Sequence, residues 1–152
     1  DFRPKLMNDY ICSISKKLSQ NYDIGIRKKI WGVKWRDKEC IEYVQPEDRV
    51  VFMVDGVLRS IHQITSSMFE SKETIWKENS YPFRVRISDP LAEGRIALPR
   101  FVNELKFVTN KEIPGLSFKG KNAIFNPGIE ASEVDMLKER MLRQQARKAE
   151  RE

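Results

Sequence analysis

Lys28-Lys29-Ile30-Trp31-Gly32-Val33-Lys34-Trp35 sets two tryptophans four residues apart among three lysines, with a glycine directly after the first ring. An indole beside cations is suited to stacking on a nucleobase while the ammonium groups meet its phosphates. The competing reading makes Trp31 a plain core aromatic. Further along, Trp76 and Tyr81 lie on or beside loops that flank strands. Three rings from separate loops can meet as a cage around a flat or methylated group, and stacking contributes about 1–3 kcal/mol per base. A base inside a duplex has to be flipped out to enter such a cage, at a cost of roughly a few kcal/mol. Backbone contacts from Lys28, Lys29, Lys34 and Arg36 offset that cost and make binding salt-dependent.

Catalysis finds less support. His62, the single histidine, falls mid-strand between Ile61 and Gln63 and reads as a structural residue rather than a base. Gly-x-Ser-x-Gly, Walker and dinucleotide glycine motifs are absent, and Gly115-Leu116-Ser117-Phe118-Lys119-Gly120 lacks the Lys-Ser/Thr of a phosphate loop. Cys12 and Cys40 are too few, even with His62, for the usual four-ligand zinc site. Both read as reduced core thiols of an intracellular, cytoplasmic protein. The expectation is a binder without metal or cofactor; a small enzyme with His62 at a pocket floor is the remaining alternative.

Length and charge agree with that. The chain has 152 residues, one domain by size, and a net charge of +6. Residues 1–37 carry nine Lys/Arg against four Asp/Glu, whereas residues 38–128 carry thirteen against twelve and residues 129–152 six against six. The surplus thus coincides with Trp31 and Trp35, which points to a polyanion partner. No apolar run approaches the ~20 residues of a bilayer span, so no membrane role is expected. Met7 reads as a natural start.

The elements that must position these residues follow in order. Tyr10 to Ser15 is rich in β-formers, and Lys16 to Tyr22 suits a helical turn stopping near Gly25. Asp37 to Val44 suits a short helix closed by Pro46. Arg49 to Val54 is a strand, Asp55-Gly56 a type I′ turn, and Val57 to Ile64 the returning arm. On that arm Leu58, Ser60, His62 and Ile64 are expected on one face. Met68 to Tyr81 reads as a polar connection. Pro82 to Ile87 alternates, with Phe83, Val85 and Ile87 inward and Arg84 and Arg86 projecting as a charged face. Ile96 to Leu98 suits a short strand, and Pro99 opens a helix through Phe101, Leu105 and Val108. Ser132 to Asp135 resembles a capping box, after which Val134, Leu137 and Met141 form a docking stripe. From Arg143 onward nothing apolar remains to bury, which suggests a frayed helix or linker. Strands joined by hairpins with helices at the edges give an α+β class, a bent sheet or small barrel with flanking helices.

Ile30-Trp31-Gly32-Val33, Tyr81-Pro82-Phe83-Arg84-Val85-Arg86-Ile87 and Leu105-Lys106-Phe107-Val108, in that order, resemble the EVE domain, a PUA-like fold. The likeness runs from about Tyr10 to Phe118, and Asn21-Tyr22 is similar to the family's Asn-Trp pair. EVE domains are related to YTH domains, which read N6-methyladenine through an aromatic cage. Ile75 to Tyr81 is similar to the YTH segment that supplies two cage rings five residues apart, here Trp76 and Tyr81, while Trp31 matches the first ring. Ser13 and Ser15 stand where the YTH strand ends in polar residues that hydrogen-bond the base edge. Leu116-Ser117-Phe118 occupies the place of the family's late tryptophan. The resemblance implies a modified-base reader at residues 7–128, with DNA favoured and RNA the alternative. Residues 129–152 would be a helix leading toward an AAA+ GTPase motor, as in McrB-type modification-dependent restriction systems. In that reading Lys28, Lys29, Lys34, Arg36, Arg84 and Arg86 hold the nucleic-acid backbone.

Overall fold

The structure is a computed structural model and describes residues 7–78 and 80–151. Its main sheet has four strands: β1 (Asp9–Ile14), β3 (Arg49–Val54), β4 (Val57–Gln63) and β7 (Ala92–Ala97), in the order β1-β3-β4-β7. β1 runs parallel to β3, so the chain between them must cross over. That crossover carries helix α1 (Ser19–Lys28) and strand β2 (Ile30–Val33). β2 belongs to a second sheet with β6 (Phe83–Arg86) and the two-residue β5 (Phe69–Glu70), in the order β2-β6-β5. An isolated bridge between Ile64 and Ile87 joins the two sheets into one bent surface. This is the expected α+β architecture.

The expected hairpin is present. Asp55 and Gly56 both have positive φ, 51° and 73°, as the tight turn requires. One face assignment changes, however. The register slips between Phe52 and Met53, leaving Arg59 without a partner on β3. That bulge turns Leu58 to the same side as Ile61, while Ser60, His62 and Ile64 keep the other.

The sheet has a core on each face. Ile11, Val51, Leu58 and Ile61 pack under Phe101, Leu105 and helix α2 (Ala131–Arg151). Cys12, Val50, Phe52 and Ile64 pack against Val33, Phe83 and Val85 of the second sheet. Alternate residues of β3 serve the two cores, the period of 2 that a strand buried on both faces imposes.

Several local expectations are corrected. α1 runs through Gly25 to Lys28 and ends on Lys29 in the left-handed conformation, φ 58°. Gly25 marks a close approach, since a Cβ there would lie 2.8 Å from the Ile30 carbonyl and 2.9 Å from the Trp31 ring. The helix expected over Asp37 to Val44 is a 3-10 turn over Trp35–Cys40. Phe101, Leu105 and Val108 are fully buried, but in irregular chain around the short 3-10 turns Leu98–Arg100 and Val102–Glu104 rather than on a helix. The cap of α2 lies two residues earlier than expected. Glu133 accepts from the Glu130 amide (2.8 Å) with one carboxylate oxygen and from the Lys106 amide (3.0 Å) with the other. Val134, Leu137 and Met141 dock as expected, each fully buried. Beyond them α2 stays helical to Arg151, and Gln144 and Gln145 accept from the Arg95 and Glu93 amides on the free edge of β7.

Candidate nucleic-acid interface

The first sheet ends at β1 and the second at β2, and these two edges do not pair with each other. The gap between them is a cavity of about 240 Å³, lined by Cys12, Ser13 and Ile14 from β1 and by Trp31, Gly32 and Val33 from β2. Trp76 and Tyr81 close one side. Gly120, Ala123 and Ile124 of the late loop close another. Asn126 holds that loop to β1 through two backbone hydrogen bonds with Ile11 (3.0 and 2.9 Å). A Lys121–Glu39 ion pair ties it to the 3-10 turn after β2.

The three expected rings meet here. Trp31 and Trp76 have centroids 5.9 Å apart at 82°, and Trp76 and Tyr81 5.6 Å apart at 73°, both edge-to-face. Trp76 is only 2% exposed and its indole N–H donates to the Asn21 carbonyl (3.0 Å). Its ring lies over Gly32, where a Cβ would sit 3.1 Å from the indole, so the glycine after Trp31 makes room for the second ring. Burial raises the Tyr81 phenol above its ordinary pKa, with Glu78 adding to the shift, so the ring stays neutral at physiological pH.

Arg84 is corrected. Rather than projecting to phosphates it is 1% exposed, because Ser71, Glu73, Trp76 and Tyr81 gather around it. Its guanidinium donates to the Tyr81 carbonyl (2.9 Å), the Glu73 carbonyl (2.6 Å) and Ser71 Oγ (3.3 Å), and it lies 5.3 Å from the Trp76 ring centroid. Arg84 therefore holds the segment that carries Trp76 and Tyr81. Asn79 of that segment lies outside the described residues, as do residues 1–6.

The remaining expected residues divide. Ser13 lines the cavity; Ser15 is exposed beyond the end of β1 and does not. Lys34 and Arg36 lie on the cavity lining and are exposed, with exposed Trp35 between them, its ring tilted over Phe83. Lys28, Lys29 and Arg86 are exposed at the opposite end of β2, roughly 10 Å along a strand of this rise. Lys29 pairs there with Asp89 (3.2 Å), and Arg86 lies over the Phe69 ring.

Beyond the expected residues, the lining includes an amide and a carboxylate, Asn21 and Asp37. Asn21 sits on the first turns of α1, and the Asn-Tyr pair was the available signal. Asp37 lies within the 3-10 turn; its side chain is 13% exposed, its ion pair among the described residues is with Arg36 Nε at 3.7 Å, and its charge adds to the raised pKa of the Cys40 thiol. A carboxylate so nearly enclosed, without a hydrogen-bond donor among the described residues, is an acceptor available to a ligand. Its signal in the sequence was an acid at the end of a basic, aromatic run.

His62 is not on the cavity. It is fully buried, its Nδ1–H donates to the Ser88 carbonyl (2.9 Å), and Nε2 faces Ser60 Oγ (2.8 Å), which in turn meets the Tyr22 hydroxyl (2.6 Å). Burial lowers its pKa, against the smaller raising effects of the Ser88 carbonyl and Asp89. Cys12 and Cys40 are free, and burial pushes the Cys12 thiol well up. Among the described residues no cluster of His, Cys, Asp or Glu could hold a metal, and no helix is long and apolar enough to cross a membrane.

The bent α+β fold is that of solved YTH domains. The Mmi1 YTH domain superposes with a TM-score of 0.58 at 12% identity, over 93% of this chain and 78% of that one. The Toxoplasma CPSF4-YTH domain gives 0.57 at 14%, over 92% and 90%. The YTH domain-containing protein mmi1 in its RNA complex gives 0.50 at 12%, over 67% of each. Among curated proteins, a UPF0310 protein of Pyrococcus horikoshii is 28% identical over 131 residues, 76% of this chain and 88% of that protein. One from Pyrococcus abyssi is 24% identical over 120 residues, 70% and 82% respectively. No family model matches.

Proposed function

We propose that this chain is a non-catalytic nucleic-acid-binding module that takes one modified base into the cavity between β1 and β2. The observation that carries the reading is the meeting of Trp31, Trp76 and Tyr81 around a cavity that Lys34 and Arg36 also line. At about 240 Å³ the space falls below the roughly 300–1,000 Å³ of drug-sized ligand sites, so it suits a single ring system. The late loop contributes Gly120, Ala123 and Ile124, an apolar wall able to receive an added methyl group.

Modified DNA is the first target, on the EVE-like motif order. In that reading the base is flipped from a duplex, and the module is the cytoplasmic specificity domain of a McrB-like protein with an AAA+ GTPase motor. RNA is the second target, favoured by the structural neighbour solved with RNA. An enzyme reading loses its candidate base, since both ring nitrogens of His62 are engaged within the core.

The test is fluorescence anisotropy with matched DNA and RNA carrying N6-methyladenine, 5-methylcytosine or no mark, at two salt concentrations. A preference for one mark that persists at high salt is expected. Trp31→Ala should weaken binding to the marked site by about ten- to a hundredfold, the equivalent of ~1–3 kcal/mol of stacking, and erase the preference. Binding that ignores the mark and vanishes with salt would reduce the site to a basic surface.

A further inference from the structure

The formal charges of residues 129–152 cancel in the sequence, but the folded helix does not distribute them evenly. Glu133 and Asp135 are consumed in the first turn of α2, one by the cap and the Lys106 amide, the other by Arg49 (2.6 Å). Arg140, Arg143 and Arg147, three and four residues apart, then share one flank of the helix beside the docked stripe. Across from them, β7 presents Arg95 and the turn after it Arg100. These five arginines line an open groove of about 600 Å³ with no carboxylate among its lining residues.

Two of the five have partners. Arg140 is fixed by Glu104 (3.1 Å) and by the Phe101 ring, with 4.9 Å to its centroid. Arg143 meets Glu139 (3.0 Å) in an exposed i,i+4 pair, which is weak and readily exchanged. Arg95, Arg100 and Arg147 are exposed and have no carboxylate partner among the described residues. A neighbouring cleft of about 820 Å³ between α1 and α2 is different: Asp23 and Glu93 stand among its basic residues.

The groove and the aromatic cavity lie at the same end of the main sheet. Ile14 of the cavity is in register with Val54, Val54 with Val57, and Val57 of the groove with Ala97. Backbone bonds from Asp55 to Ile14 and from Leu98 to Gly56, both 2.9 Å, fix that end. Three strand spacings of about 4.8 Å set the β1 and β7 backbones roughly 14 Å apart at that end; α2 and β2 pack on opposite faces of the sheet, so a nucleic-acid strand serving both features passes around this end.

We infer that the arginine groove between β7 and α2 is a second nucleic-acid site, which binds the phosphodiester backbone of a strand that passes around the shared end of the sheet from the base held in the cavity. The inference rests on the base-reading proposal for the strand's path, but its charge chemistry is separate. Guanidinium groups suit it because their forked donors match phosphate oxygens.

The experiment compares wild type, the triple variant Arg95→Ala/Arg100→Ala/Arg147→Ala, the matching triple Lys variant and Trp31→Ala. Each is titrated with a single-stranded oligonucleotide bearing one N6-methyladenine centrally, and with the corresponding duplex, across a salt series; thermal melting checks the fold. With about 0.7 of salt slope lost per phosphate contact on single strands and about 0.9 on duplex, the triple Ala variant is expected to lower the slope by about two on the single strand and nearly three on the duplex. The triple Lys variant should keep it. An unchanged slope in a folded triple Ala variant overturns the inference and leaves the groove to an acidic protein partner. A slope that falls in the triple Ala variant while Trp31→Ala changes nothing upholds the groove and removes the base reader. Absence of any nucleic-acid binding by wild type overturns both.

Discussion

At the scale of single residues, the most informative group is a carboxylate. Asp37 lies on the lining of an otherwise largely apolar cavity with one loose ion pair. An acceptor-only group discriminates by what it can receive: an exocyclic N–H of adenine or cytosine satisfies it, a keto oxygen does not. Asp37→Asn keeps the size but replaces the charge with a mixed donor and acceptor. The expected result is about a ten- to hundredfold weaker Kd for an amino-bearing base, from the roughly 1.5–3 kcal/mol of a hydrogen bond to a charged group. Anisotropy against amino and keto bases in the same sequence context checks it; an unaltered ranking would place the carboxylate away from the base. The three rings were legible in the sequence as aromatics on or beside loops that flank strands; that they meet at one cavity came from the fold. Asp37 was not legible, because an acid near a 3-10 turn looks like ordinary surface until the turn is seen folded onto the cavity. Arg84 was misread for a related reason. Strict alternation fixes which face a residue points to, but not whether a later loop covers that face.

At the scale of elements, α2 acts on the sheet as well as docking on it. The side chain of Gln144 accepts from the Arg95 amide (2.9 Å) and donates to the Arg95 carbonyl (3.0 Å), replacing a missing neighbour strand on β7. Gly94 admits this approach, since a Cβ there would lie 2.3 Å from the glutamine oxygen. Gln144→Ala is expected to cost about 1–2 kcal/mol for the two bonds. It should also speed hydrogen exchange of the Arg95 amide without changing affinity for a base. Slow exchange retained at Arg95 would mean another group guards the edge. Sequence periodicity located the apolar stripe of this helix; it could not show that glutamines beyond the stripe would bind a strand about fifty residues earlier.

At the scale of the molecule, His62 completes a buried hydrogen-bond chain from the Ser88 carbonyl through β4 to Tyr22 of α1. Because a carbonyl can only accept, the bond to Ser88 places the proton on Nδ1, and Nε2 accepts from Ser60, which accepts from Tyr22 on α1. The folded pKa is lowered, so the unfolded chain binds a proton more readily than the folded one. Stability from this group is therefore full above the unfolded value and is lost as pH falls through the folded value. The thermal midpoint is expected to decline as pH drops below about 6.5, with proton uptake on unfolding. His62→Gln should flatten that decline; a wild-type midpoint indifferent to pH in this window would contradict the arrangement. Composition and short-range pattern were enough for the α+β class, the Asp55-Gly56 hairpin, the inward faces of most strands and the identity of the three rings. Each of these follows from backbone sterics or from a period of two, which neighbouring residues carry. The gap between β1 and β2, the burial of Arg84, the acceptor at Asp37 and the arginine groove came only from the tertiary structure. Each depends on which distant segment covers or faces a given surface, and the chain's local preferences do not encode that.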